Sequence, residues 1–268
     1  MLKSYIDIYW TFFKTTLAIQ FQYRVAMSIW MIGRILEPII YLVVWTTVAQ
    51  AKGGSLGGYS PTDFAAYYIV LMLVNQITFT WIMHEYDFRI RHGSLSALLL
   101  KPLHPIHSDI ADNVAYKVLT LVIIVPAVAL LYSLFDPVFH TDVEAALYSI
   151  PALILAFFIR FFEGWILAIT AFWTTRNEAL NQMYFALSLF LSGRIAPISL
   201  LPGPVQTLAD FLPFRWTMAF PTELVLGKLT VQEIHSGLVA QLAWLIVLSV
   251  LLKVVWRLGV KEYSAVGS

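Results

Sequence analysis

Residues 114–135 read VAYKVLTLVIIVPAVALLYSLF, twenty-two positions with one charge, Lys117, and one proline, Pro126. About twenty apolar residues rising 1.5 Å each cross a hydrocarbon layer of about 30 Å, so this stretch reads as a membrane span with a packing kink at Pro126. Five further stretches have similar length and character: 25–50, 63–83, 145–173, 179–197 and 237–257. Composition agrees with them. Hydrophobic residues make up 59% of the 268 and charged residues 12%, where soluble domains run near 45–50% and 25%. The mean hydropathy is +0.76.

Between the fifth and sixth spans lies Ile198 to Lys228, ISLLPGPVQTLADFLPFRWTMAFPTELVLGK, with prolines at 202, 204, 213 and 221. Proline removes a backbone donor and clashes with the preceding turn, which breaks this segment into short helices. Irregular backbone at membrane depth survives only against protein or water, so a re-entrant hairpin over 198–228 is expected. Thr230 and Glu233 fit a capping box opening a short external helix before the last span. Ahead of the first span, residues 1–23 lack the pattern of a secretory leader. Ser4, Asp7, Thr11, Lys14, Ala18 and Gln22 recur at helical spacing, while Tyr5, Ile8, Tyr9, Phe12, Phe13, Leu17 and Phe21 fill the other face. Residues 4–22 therefore read as an amphipathic helix lying in the interface, with Ser4 and Asp7 as its cap. The fold class is an all-α integral membrane protein: an N-terminal interfacial amphipathic helix, six transmembrane helices, and an extracellular re-entrant helical hairpin between the fifth and sixth spans. No repeat or long linker divides residues 1–268, which read as one domain.

With the N-terminus in the cytoplasm, the inside segments hold Lys3, Lys14, Arg24, Arg89, Arg91, Lys101, Lys117, Arg176, Lys253, Arg257 and Lys261, against Lys52, Arg215 and Lys228 outside. That bias predicts both termini cytoplasmic. A net charge of +1 gives no basic field for nucleic acid. The absence of cysteine excludes thiolate metal sites and a cysteine nucleophile. His84, Glu85 and Asp87 point to different faces of a helix and do not form a metal site. The nine tryptophans fall mainly near span ends, as interfacial anchors do.

Residues 84–113, HEYDFRIRHGSLSALLLKPLHPIHSDIADN, form the longest cytoplasmic connection. Glu85, Asp87, Arg89 and Arg91 open it, and a short apolar helix from Leu95 to Leu100 ends at Lys101-Pro102. Such a helix suits a partner's groove or the lipid surface equally. Two charge pairs at i, i+3 spacing lie within spans, Arg34 with Glu37 and Arg160 with Glu163. An ionisable group at that depth costs about 2.5–3.5 kcal/mol on insertion scales and finds a partner. Each pair can satisfy itself on one helix face. The pairs read either as a clamp between the first and fourth spans or as a substrate or coupling site.

Ile90-Arg91-His92-Gly93-Ser94-Leu95, followed by Leu98-Leu99-Leu100-Lys101-Pro102-Leu103, resembles the cytoplasmic signature of bacterial type-2 ABC exporter permeases, in the branch that pairs two related permease chains with an ATPase. Leu191-Ser192-Gly193, Pro197 to Pro202, Leu212-Pro213-Phe214, Phe220-Pro221 and Leu226-Gly227-Lys228 resemble that branch's re-entrant region. Arg194 departs from the pattern, standing where a small or apolar residue is expected. The resemblance implies an exporter permease subunit of the bacterial inner membrane that moves a lipid, glycan, drug or peptide. It implies no catalytic residue, metal or cofactor on this chain, which has no GxxxxGK[ST] phosphate loop. ATP and magnesium would bind a cytoplasmic ABC ATPase dimer. The other partners would be a second permease subunit, identical or related, and membrane lipids. Coupling to the ATPase would fall to Arg89, Arg91, Gly93, Leu95, Leu98, Leu99, Lys101 and Pro102, with the 4–22 helix as a second contact. The outer gate would comprise Gly193, Arg194, Pro197, Pro202, Pro213, Phe214 and Pro221. Two other readings remain: a membrane-embedded lipid-modifying enzyme, or an ion-coupled secondary transporter using Glu37 or Glu163.

Overall fold

A computed structural model describes residues 2–174 and 177–263, with the side chains of residues 2–5 left aside. The cap proposed at Ser4 and the cation Arg176 fall outside the described side chains. The described residues form helices joined by turns: α1 (Leu2–Gln22), α2 (Arg24–Ala51), α3 (Pro61–Thr78), α4 (Ile82–Arg91), α5 (Leu95–Leu99), α6 (Ile106–Phe135), α7 (Val143–Ile169), α8 (Glu178–Leu191), α9 (Gly203–Phe211), α10 (Pro213–Thr217), α11 (Ala219–Val225) and α12 (Val231–Glu262).

Among the described residues, five helical stretches are long and apolar enough to cross a membrane: Arg24–Ala51, Pro61–Arg91, Ile106–Phe135, Val143–Phe172 and Val231–Glu262. The stretch expected to span at 179–197 is helical only over the 14 residues of α8, about 21 Å at 1.5 Å per residue. The remainder turns at Gly193, whose φ of +85° stops the helix. A second departure lies in the span expected at 63–83, which is interrupted between α3 and α4 at residues 79–81 with no glycine or proline to mark the place. α6 begins eight residues before the expected 114, and the Thr230–Glu233 capping box forms but opens the continuous α12 rather than a separate short helix.

The centre is built on α3 and α7. Of their apolar stretches, 72% and 56% are buried inside the protein, against 17% in α2, α6 and α12, whose Ile32, Val122 and Ile246 face outward as lipid-facing residues do. Phe64, Tyr67, Tyr68 and Leu71 on α3 pack with Met31 and Leu42 of α2 and Ile124 of α6. Phe157, Phe161 and Trp165 on α7 form a second cluster with Tyr86, Leu95 and Leu252. α1 lies along α6. Its Asp7, Thr11, Lys14, Ala18 and Gln22 are exposed and Ile8, Tyr9, Phe12, Phe13 and Leu17 half-buried, as the spacing predicts, but Phe21, expected on the apolar face, is exposed.

Between α8 and α12 the prolines punctuate the chain: Pro202 precedes α9, Pro204 lies in its first turn, Pro213 opens α10 and Pro221 lies in the first turn of α11. α11 packs on α3 and α7, and α12 runs along α7. Gln241 of α12 fastens that seam, donating to the carbonyls of Ala152 (3.0 Å) and Trp216 (2.7 Å). One turn earlier, Gly237 lets the Phe220 ring of α11 seat directly on the α12 backbone, and a Cβ there would collide with it.

Phe220 is only 2% exposed and cannot swing away. Gly237→Val is therefore expected to cost about 1–3 kcal/mol and lower the thermal unfolding midpoint in detergent, followed by helical circular dichroism. Gly33, where a Cβ meets nothing within 4 Å, should tolerate alanine without loss.

Candidate functional site

Three polar assemblies stand out against the apolar bundle. The first surrounds the interruption after α3. A helix C-terminus leaves carbonyls without donors and carries the negative end of the helix dipole. Lys117 of α6 reaches across and donates to the Phe79 carbonyl at 2.7 Å. Arg160 of α7 donates to Asn75 Oδ1 at 2.9 Å and Thr78 Oγ1 at 2.8 Å. Arg34 of α2 lies flat over the Phe79 ring, 3.3 Å from its centroid, with one bond to Gln76 Oε1 at 3.4 Å. Gln76 in turn bonds Thr120. Gly164 allows α7 to approach, since a Cβ there would stand 3.0 Å from Thr80 Oγ1. Three cations from three helices thus converge on one helix end.

The two intramembrane pairs read from the sequence are not formed within their own helices among the described residues. Arg160 turns to the end of α3, and Glu163 accepts from the Tyr184 hydroxyl of α8 at 3.0 Å. Glu37 accepts two bonds from Arg194 Nη2, both 2.6 Å. Spacing along one helix lets residues meet, but the bends at the α3 break and at Gly193 bring stronger partners from neighbouring segments.

Glu37–Arg194 belongs to the second assembly, the seam that holds the turn after α8. The carbonyls of Gly193 and Ile195 would be stranded in apolar surroundings. Tyr67 donates to Gly193 O at 2.9 Å, and Tyr68 and Trp45 both donate to Ile195 O at 2.6 Å. A Cβ on Gly193 would stand 2.6 Å from the Tyr67 hydroxyl. Of the residues expected to gate this side, Pro197, Pro213, Phe214 and Pro221 are buried and Pro202 is exposed. Phe214 packs on Tyr184, with centroids 5.6 Å apart. Arg194, the residue out of pattern, ties this turn to α2 together with Trp45.

The third assembly lies at the opposite end, beneath α5. Asp109 is 2% exposed and receives three donors: Arg89 Nη1 at 2.8 Å, Tyr86 Oη at 3.0 Å and Trp165 Nε1 at 2.9 Å. Arg89 also grips Glu85 at 2.5 Å, while Arg91 pairs with Asp87 at 2.9 Å. Gly93 turns with a φ of +71°. Of the apolar residues in α5, Leu95 is fully buried and Leu98 and Leu99 are half-buried against α7 and α12. Ser96 bonds Tyr263 beyond α12 at 2.9 Å. What the turn exposes is Leu100, 87% accessible, with Lys101 and Pro102. His104, packed against Trp165 and Trp256, has its imidazole pKa lowered by burial and by His107.

Sequence reasoning did not single out Asp109, Lys117 as a cap, or Leu100. Asp109 sits between Ser108 and Ile110 at the start of a long helix, where an acid reads as an ordinary first-turn residue. Trp165, read as an interfacial anchor, is fully buried on Asp109. Among the described residues there is no group of three or more His, Cys, Asp or Glu side chains placed to hold a metal.

Long apolar helices with polar groups spent on joining helices define a multi-pass membrane protein. The family model for the ABC-2 family transporter proteins matches residues 35–267, and the chain belongs to that family. Membership implies an ABC ATPase as partner. No curated protein and no solved structure matches the chain.

The Glu37–Arg194 pair is half-buried, with side-chain exposures of 35% and 19%. Glu37→Gln and Arg194→Gln are each expected to cost about 1–3 kcal/mol, between the exposed and buried limits for ion pairs. The double variant should recover part of that loss. A double-mutant cycle on unfolding midpoints in micelles reads the coupling.

Proposed function

We propose that this chain is the permease half of an ABC exporter, one domain over residues 1–268 that pairs with a second copy or a related chain. A separate cytoplasmic ATPase dimer binds ATP and magnesium and supplies the energy. In this reading the membrane is a bacterial inner membrane, and the cation bias of the sequence puts the α5 end and both termini in the cytoplasm. α8 with the turn after it counts as the fifth crossing and completes the six, and the short helices over 198–228 form the re-entrant hairpin on the outer side. The cargo is drawn from lipids, glycans, drugs or peptides.

The observation that carries this reading is the contrast within α5. Leu100 protrudes, while Leu95, Arg89 and Ser96 fix the turn to α7, α6 and the end of α12. An exposed apolar side chain on a rigid mount is what a partner's groove takes up. It can also convey motion, because the mount is tied to the two helices that carry Lys117 and Arg160. This arrangement moves the apolar docking role from Leu95, Leu98 and Leu99 to Leu100, keeps Lys101 and Pro102 beside it, and gives Arg89 the role of an internal strut.

Expressed with an ABC ATPase encoded beside it, Leu100→Asp should lose the ATPase on co-purification while its unfolding midpoint is unchanged. Leu95→Asp should lower the midpoint itself, because it buries a charge. Retention of the ATPase by the Leu100→Asp protein would sink the docking assignment.

A further inference from the structure

A cavity of about 800 Å³ opens between the α1–α2 elbow, the α3–α4 interruption and the start of α6. That is within the range of about 300–1,000 Å³ common to small-molecule sites. Its walls are mainly apolar, and five aromatic residues line them: Tyr23, Trp30, Phe79, Trp81 and Tyr116. Trp30 and Trp81 face each other across it with centroids 6.4 Å apart.

Four charged side chains besides these aromatics line it, and they divide into matched and unmatched. Asp109 and Glu85 are both held by Arg89. Asp112 has no Lys or Arg within ion-pair distance among the described residues, and its carboxylate accepts only the Thr16 hydroxyl. Among the described residues Arg34 has no carboxylate within ion-pair distance, Glu37 one turn along α2 being held by Arg194, and Lys117 and Arg160 add to the positive charge around Phe79. One end of the cavity thus carries an unmatched carboxylate and the other an unmatched guanidinium. Leaving either charge half-buried without a counter-ion is costly. Asp112 and Tyr116 are one turn of α6 apart, and the guanidinium lies 6.0 Å from the Tyr116 ring. Tyr116 thus stands between the two poles.

We propose that this cavity binds a short apolar peptide with free termini, its ammonium group at Asp112, its carboxylate at Arg34 and its side chains on the aromatic walls. Three extended residues span about 10 Å, long enough to pass the Tyr116 ring that stands between the poles. A lipid headgroup with a single charge satisfies one pole and leaves the other unmatched. The site deepens the exporter reading by naming a cargo class, but binding itself needs no ATPase.

The experiment uses the full chain in nanodiscs and the radiolabelled tripeptide Leu-Phe-Leu by equilibrium binding. It is compared with the same peptide acetylated at the amine or amidated at the carboxylate. Each modification is expected to weaken binding about 10-fold or more, the scale of one charge-assisted hydrogen bond. Arg34→Gln should weaken the free peptide about as much yet leave the amidated one unchanged, and Asp112→Asn should do the same for the acetylated form. No saturable binding, or equal binding of all three peptides to the unmodified protein, overturns the proposal; that comparison needs no variant and so no assumption about folding. A further loss for the amidated peptide in the Arg34→Gln protein overturns the carboxylate assignment. Failure here with ATPase co-purification intact would count against the cargo class and leave the permease reading standing.

Discussion

A peptide carbonyl without a donor in hydrocarbon costs several kcal/mol, and that constraint governs this bundle because the chain breaks its helices twice among apolar segments. After α3 the donors are the cations Lys117 and Arg160, which meet the negative end of a helix dipole as well as individual acceptors. After α8 they are the neutral hydroxyls and indole of Tyr67, Tyr68 and Trp45, with the Arg194–Glu37 pair beside them. The choice follows the acceptors. A helix end with carbonyls and side-chain oxygens together accommodates full charge, whereas two isolated carbonyls need only one or two dipolar donors.

Because those donors come from different helices, each break fixes the packing around it. The end of α3 cannot keep its partners unless α2, α6 and α7 hold their places. The turn at Gly193 keeps its own only while α2 and α3 stay side by side. Polar groups that would be a liability in isolation thereby specify which helices are neighbours, in a setting where apolar contact alone discriminates weakly between helix and lipid.

The same economy appears under α5. Asp109 collects Arg89, Tyr86 and Trp165 and so joins α4, α6 and α7. Leu100 thus stands on a turn bonded to α6 and packed on α7, the helices whose Lys117 and Arg160 meet the break in α3. The seam held by Glu37 and Arg194 is a separate assembly.

The sequence alone determined the all-helical membrane class, most of the spans, the two faces of α1, the proline-broken segment over 198–228 and the family. The structural features depend on length, hydropathy and periodicity, which are properties of consecutive residues, while the family rested on the resemblance of the motifs over 90–103 and 191–228. Only the tertiary structure decided where charges find partners. Arg34 and Glu37 satisfy the local spacing rule, yet Glu37 goes to Arg194, 157 positions away, because a turn after Gly193 brings it there. The interruption at residues 79–81 carries no glycine or proline and exists because cations from α6 and α7 stabilise a free helix end. Leu95 and Leu100 are the same residue type five positions apart, and only packing against α7 and α12 buries one and leaves the other exposed.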